Sequence, residues 1–240
     1  MIKFFRKIRQ NLLTENKTGK YFKYAIGEIV LVIIGILIAL SINNWNTNRI
    51  LKSEEQNLLK DLRTEVKSNI ESLTIAIEEH EKSYNAAQEF KSLFQDREVF
   101  DKMSDSIFEA MFIRLNMNLT YDPKKGILNS MISSGQINNL ANKELKYLLA
   151  SLEDIITDTF EDTMKIERWR DDLLTKTFYD SHVVIDGKIE GFEFKRLYDN
   201  PDFRLLVILF DGIREDGLKE EYDFKETMKH ILELIDNEIK

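Results

Sequence analysis

The sequence predicts a mainly α-helical protein in which one N-terminal transmembrane helix precedes a bundle of long helices. The first observation is an apolar run at residues 24–42, nineteen positions with one charged side chain, Glu28. A helix needs about 20 such residues to cross the hydrocarbon core of a bilayer. The second observation is that apolar residues recur every three or four positions along most of the remaining chain, as in amphipathic helices. The third is the small number of helix breakers, two prolines and nine glycines.

Residues 1–23 form a basic segment ahead of the apolar run. The segment holds seven Lys and Arg side chains and one acid, Glu15, so its net charge is +6 and the rest of the chain carries −14. Because basic residues beside a membrane helix favour the cytoplasmic side, we expect this segment in the cytoplasm. Residues 43–240 would then be exported. The predicted location is the bacterial inner membrane, with the C-terminal domain in the periplasm.

Apolar residues in the first part of the basic segment have helical spacing. Met1, Phe4 or Phe5, Ile8 and Leu12 alternate with basic side chains. This pattern is typical of a helix that lies in the membrane interface, and an ordinary basic flank explains it equally well. In both interpretations membrane lipids are an expected partner, since anionic head groups attract Lys and Arg.

A cleaved signal peptide is the alternative interpretation of the apolar run. Ala39-Leu40-Ser41 has the small residues of a cleavage site. However, the run exceeds the roughly 7–15 apolar residues of a signal peptide, and the basic region before it is long. We therefore favour a retained transmembrane helix at residues 24–42.

Aromatic residues lie at both ends of the predicted membrane helix. Tyr21 precedes the apolar run, Tyr24 is its first residue and Trp45 follows it. Tyr and Trp are enriched where a membrane helix meets the head groups. These three residues are therefore predicted to be interfacial anchors.

Four residues of the apolar run are candidates for helix–helix association. Gly27, Gly35 and Ala39 are small, and Gly35 and Ala39 have the small-xxx-small spacing that lets two helices approach closely. Glu28 is an acid inside the run, and such acids are often functional. It either binds across a helix interface or lies close enough to the head groups to reach water. Self-association and binding of a partner in the membrane are both consistent with this pattern.

The exported part begins with two predicted helices. A long amphipathic helix is expected over residues 47–95, and a second helix over residues 100–115. No glycine or proline lies between residues 36 and 94. The membrane helix can therefore continue directly into the first of these helices.

Capping residues place the next helices. Asp122-Pro123 is predicted to be the N-cap and first position of one helix, which Gly135 ends. Asn142 then opens a long helix that is expected to reach about residue 179.

The last part of the chain combines a turn signal with two helices. Asp186-Gly187 between β-branched residues predicts a small β-hairpin near residues 183–194. Asn200-Pro201 opens a helix that Gly212 and Gly217 are expected to interrupt. The final helix is predicted over residues 220–239.

Composition excludes several classes of site. The chain has no cysteine, so it has no disulfide, thiolate metal site or Cys nucleophile. Its acidic exported part would repel a phosphate backbone, so we expect no nucleic-acid binding. His80, His182 and His230 lack metal-site spacing and indicate surface or packing roles. We therefore expect no cofactor, no metal and no catalytic residue, and we predict that the protein is not an enzyme.

Several segments resemble a known family. The run AIGEIVLVIIGILIAL at residues 25–40, followed by INNWN at 42–46, resembles the start of the uncharacterised domain of unknown function 6090, small membrane proteins of Gram-negative bacteria. MIKFFRKIR at 1–9, and SSG at 133–135 with NKEL at 142–145, resemble it too. The resemblance implies a single-pass membrane protein. It supplies no activity, cofactor or catalytic residue.

Two functions follow from this organisation. The first is a membrane-anchored interaction or scaffold protein that binds an envelope protein or a second copy of itself. The alternative is a periplasmic sensor that binds a ligand. The 23 residues expected in the cytoplasm are too few for an output domain, so a sensor would signal through a separate partner.

Overall fold

The computed structural model describes residues 18–174, 176–177 and 181–239, and these residues are mainly helical, as the sequence predicts. The chain divides into two compact units, Met1–Glu55 and Gln56–Lys240. The predicted amphipathic pattern at residues 1–12 and the side chain of Tyr21 lie outside the described residues.

The first helix, α1 (Thr18–Leu93), contains the whole apolar run. The prediction that this run continues into the next helix without a break is confirmed. The run is long and apolar enough to cross a membrane, and none of its side chains is buried against the rest of the protein.

Two short helices replace the single helix predicted over residues 100–115. They are α2 (Arg97–Lys102) and α3 (Asp105–Leu115). Ser104 separates them because its backbone is extended and its Oγ accepts a hydrogen bond from the N–H of Ile107 at 3.4 Å. A serine in this position caps a new helix, and the prediction of one continuous helix is wrong.

Helix α4 (Gly126–Ser133) begins later than the predicted start at Asp122-Pro123. Its capping group comes from α1, where the Glu65 carboxylate accepts hydrogen bonds from the N–H groups of Ile127 at 2.8 Å and Leu128 at 3.1 Å. A negatively charged carboxylate beside a helix N-terminus is also attracted by the positive end of the helix dipole. The start of α4 is therefore set by a residue that is distant in sequence.

The long helix predicted from Asn142 is interrupted. Asn142 caps α5 (Lys143–Thr159) as predicted, but a second helix, α6 (Glu161–Trp169), follows after Phe160, and a π-helical turn spans Arg170–Leu174. The Phe160 ring stacks on Tyr121 at a centroid distance of 4.9 Å, so tertiary packing holds the residue at the break.

Two short strands precede the last helix. They are β1 (His182–Ile185) and β2 (Lys188–Phe192), which pair antiparallel with His182 opposite Phe192. Between the strands, Asp186 and Gly187 have φ values of 49° and 74°. Asp-Gly tolerates this left-handed conformation at low cost.

The last helix, α7 (Pro201–Glu238), is continuous, so the predicted interruptions at Gly212 and Gly217 are wrong. Gly217 instead allows close packing, because a Cβ built there would lie 3.2 Å from the Cβ of Asp162 on α6. Asn200 caps the helix as predicted and accepts hydrogen bonds from the N–H groups of Asp202 and Phe203.

The second unit contains two hydrophobic clusters. One joins the middle of α1 to α4, α5 and the C-terminal half of α7. The other joins the end of α1 to α2, α3 and the beginning of α7, with Phe90 in edge contact with Phe108 and Phe203 at 5.2 Å. Long helices therefore bury their apolar faces along most of the unit.

Candidate functional site

The predicted association residues lie on one stretch of α1. A Cβ built at Gly27 or Gly35 would meet no atom within 4 Å, and Ala39 is exposed. At 100° per residue, Glu28 and Ala39 project within about 40° of Gly35, whereas Gly27 projects about 80° from it. The small-residue face is therefore centred on Gly35 and includes Glu28, with Gly27 at its edge.

The predicted anchors bracket the apolar run. Tyr24 and Trp45 are both exposed, and the Arg49 guanidinium lies 5.4 Å from the centroid of the Trp45 ring. Twenty-one residues of helix separate these aromatics, about 32 Å of rise. This separation matches the roughly 30 Å thickness of a bilayer core.

The second unit has an apolar cleft of about 590 Å³ between the end of α1, α2 and α3. Val99 and Ile107 contribute half-exposed side chains to it, with 50% and 54% of their surfaces accessible. The following residues line the cleft: Gln88, Glu89, Ser92, Leu93, Asp96, Val99, Met103, Ile107 and Met111. None of these lining residues, all within the described part of the chain, is basic.

The acids of the apolar cleft are held by local contacts. Arg114 donates two hydrogen bonds to Glu89, at 2.9 and 2.6 Å. Asp96 caps α2 by accepting a hydrogen bond from the N–H of Val99 at 3.0 Å. Both carboxylates are therefore fixed in position, Glu89 by an ion pair and Asp96 by a backbone N–H group.

A polar network lies in the interior of the same unit. His80 and Glu221 are fully buried, and Nδ1 of His80 is 2.7 Å from Oε1 of Glu221. Nε2 of His80 is 2.9 Å from the carbonyl oxygen of Leu119 and must donate, since a carbonyl only accepts. One further proton therefore lies between His80 and Glu221, carried by one or the other.

The network holds the end of α3 and the segment that follows it. The carbonyl oxygens of residues 115, 117 and 119 each accept a hydrogen bond from a side chain of α1 or α7, namely Ser83 at 2.7 Å, Arg214 at 3.0 Å and His80 at 2.9 Å. Alternate backbone carbonyl groups of residues 115–119 therefore have hydrogen-bond donors from side chains.

Arg214 is the most strongly perturbed base of the network. Only 2% of its surface is accessible, and burial lowers its pKa to about 10, against the opposing effect of the Glu221 charge. Its Nε, like Oε2 of Glu221, is buried without a hydrogen-bonding partner among the described residues. Burial of a charged group costs free energy unless other groups compensate it, so the stability of the unit depends on the contacts that Arg214 makes.

Sequence reasoning did not find this network. His80 and Glu221 are 141 positions apart, and each fits an ordinary helical pattern. Within the described ranges, no group of three or more His, Asp or Glu residues could hold a metal ion. The network is therefore interpreted as a packing element that fixes the segment after α3.

Comparison with known proteins identifies a family that the chain matches. A family model described as a family of unknown function, DUF6090, matches residues 28–167. No curated protein and no solved structure matches the chain. The matched part runs from Glu28 in the apolar run into α6, so it includes the apolar cleft.

Proposed function

Because the chain belongs to the DUF6090 family, whose function is unknown, we propose its role from its own residues: a membrane-anchored interaction or scaffold protein of the bacterial cell envelope. The observation that carries the proposal is the exposed apolar stretch of α1. Contiguous apolar surface of this size is not stable in water and is typical of a membrane or a protein interface. The aromatic spacing and the basic residues before it support a bilayer.

The chain is proposed to lie with residues 1–23 in the cytoplasm and the second unit in the periplasm. The charge difference across the apolar run supports this orientation. Cysteine labelling tests it directly, since the chain has no native cysteine. Lys7→Cys and Tyr147→Cys place single thiols before and after the run, the second at a position that is 77% exposed.

A membrane-impermeant maleimide is added to spheroplasts, in which the outer membrane no longer excludes the reagent. Tyr147→Cys should be labelled in intact spheroplasts, and Lys7→Cys only after lysis. The reverse pattern would overturn the orientation, and labelling of Tyr147→Cys in a soluble periplasmic fraction would indicate cleavage in place of anchoring.

A non-enzymatic role is also proposed. In the described part of the chain, the buried His80 and Glu221 contact each other, and His80 also contacts the backbone, which supports a structural role for both.

Crosslinking in native membranes, followed by mass spectrometry, tests whether the protein binds a partner or a second copy of itself. Stable links to one envelope protein or between copies are expected. Their absence, with the protein expressed at its normal level, would contradict the proposal.

A sensor is the second candidate. The apolar cleft has a volume in the range of about 300–1,000 Å³ that ligand pockets occupy. Native mass spectrometry of the full chain released from detergent would discriminate a sensor from an interaction or scaffold protein. A small molecule that co-purifies at one equivalent, and is lost from a cleft variant, would favour the sensor.

A further inference from the structure

The apolar cleft lies between helical walls. One wall is the last part of α1, where Glu89 and Leu93 are one turn apart, and another is α3, where Ile107 and Met111 are one turn apart. Rows of side chains four residues apart form the ridges and grooves through which helices pack. A third helix could therefore place a stripe of apolar residues between these two walls.

The residues of the apolar cleft are suited to contact a stripe of apolar side chains on a helix. Val99 and Ile107 expose about half of their surfaces there. Met103 adds a partly exposed, flexible and polarisable side chain, which adapts to different apolar partners. Gln88 and Ser92 supply the only neutral polar groups of the lining. Burial of the exposed apolar atoms would provide the driving force for binding.

The charged residues of the cleft determine which residues a partner could carry beside its apolar stripe. The charged residues of the lining are the acids Glu89 and Asp96, and no lining residue is basic. Arg114 neutralises Glu89, so Asp96 is the main negative charge at this surface. A Lys or Arg beside the apolar stripe of a partner would be attracted, and a Glu or Asp would be repelled.

We propose that the apolar cleft binds an amphipathic helix of a partner protein, one whose apolar stripe is flanked by Lys or Arg. The proposal rests on the interaction function above and specifies the kind of partner. Recognition of an apolar stripe in a groove is a common mode of helix binding. Asp96 would select the charge, while Ile107 and Met111 would form one wall of the contact.

Two synthetic helical peptides test the proposal against the purified full chain in detergent. They share one leucine stripe and differ only in having Lys or Glu beside it. The Lys peptide should bind about tenfold more tightly by fluorescence anisotropy, and raised salt should reduce the difference.

Three variants locate the contact. Ile107→Asn should weaken binding of the Lys peptide about tenfold, because it removes a central apolar residue. Ile75→Asn is the matched control, since Ile75 is also 54% exposed but lies outside the cleft, and binding should be unchanged. Asp96→Asn keeps a good helix cap and removes the charge, so it should reduce the preference for Lys over Glu.

Equal binding of the two peptides, no binding of either, or equal effects of Ile107→Asn and Ile75→Asn would overturn the proposal. Circular dichroism checks that each variant remains folded, and a variant that unfolds is replaced by Ile107→Ala. Links found in membranes but outside the cleft would leave the interaction function standing and reject this site alone.

Discussion

His80 on α1 and Glu221 on α7 meet in the interior of the second unit, with Nδ1 of His80 2.7 Å from Oε1 of Glu221. The hydroxyl of Thr163 also approaches the same carboxylate oxygen, at 3.5 Å. The pair joins the two longest helices to α6 and, through Leu119, to the segment after α3. These three contacts thus connect four parts of the unit.

Removing one partner of this pair should be costly. Glu221→Leu leaves the Nδ1 of His80 buried without its partner, and we expect a loss of about 3–5 kcal/mol in the free energy of unfolding. Urea unfolding of the full chain in detergent, followed by circular dichroism, measures this loss. The double variant with His80→Leu should lose less than the sum of the single variants, because neither polar group of the pair is then buried without its partner.

The exposed pair of His230 and Glu144 is a matched control. Its atoms are also close, 2.8 Å apart, but both side chains are about half exposed. Glu144→Leu should therefore cost less than about 1 kcal/mol. Equal losses for Glu144→Leu and Glu221→Leu would show that burial does not determine how much such a contact contributes to the free energy of unfolding.

The pair of Arg63 and Asp236 predicts a pH dependence. The hydrogen bond from Arg63 lowers the pKa of Asp236 below its ordinary value of 3.8. A lowered pKa in the folded state means that the carboxylate favours folding above pH 3.8, and that this contribution is lost as the pH falls through the lower, folded-state value.

Asp236→Asn should therefore be less stable than the natural chain at neutral pH, and the difference should shrink as the pH falls below 3.8. The effect is small because the pair is exposed. Unfolding midpoints measured across this range check the result. A difference that stays constant with pH would contradict the assignment.

The two glycines of α7 provide a third comparison. Gly212 is exposed and a Cβ built there meets no atom within 4 Å, whereas a Cβ at Gly217 lies 3.2 Å from Asp162. Gly212→Ala should stabilise the chain by about 0.5–1 kcal/mol, the difference in helix propensity. Gly217→Ala should gain less or lose stability, because α6 must move. Equal gains in thermal unfolding would reject the close packing of α6 on Gly217.

Local signals in the sequence predicted the helical class and several helix ends. Asn142 and Asn200 cap their helices through their own side chains, and Gly135 takes the left-handed φ of 74° that a helix end often needs. These features depend on residues that are neighbours in sequence, so the pattern alone contains them.

Several of the errors have causes that are distant in sequence. The start of α4 is set by Glu65, and the segment before it is held by Asn69, which exchanges hydrogen bonds with the backbone of Lys124 at 2.7 and 2.8 Å. The sequence pattern predicts an interruption of the helix at Gly217, but the role of this residue depends on its contact with Asp162 on α6. Likewise the apolar cleft forms only when α1 and α3 pack together, which no local pattern reveals.

Helix association through the Gly35 face is the remaining prediction. If two copies associate in the membrane through this face, Gly35→Leu should weaken association severalfold in a membrane reporter assay, because the added side chain separates the helices. Gly27→Leu should have a smaller effect, since Gly27 projects about 80° away from Gly35 on the same helix. Expression and insertion of each variant are checked in the same cells. Unchanged association in Gly35→Leu, or a larger loss in Gly27→Leu, would exclude the Gly35 face as the contact.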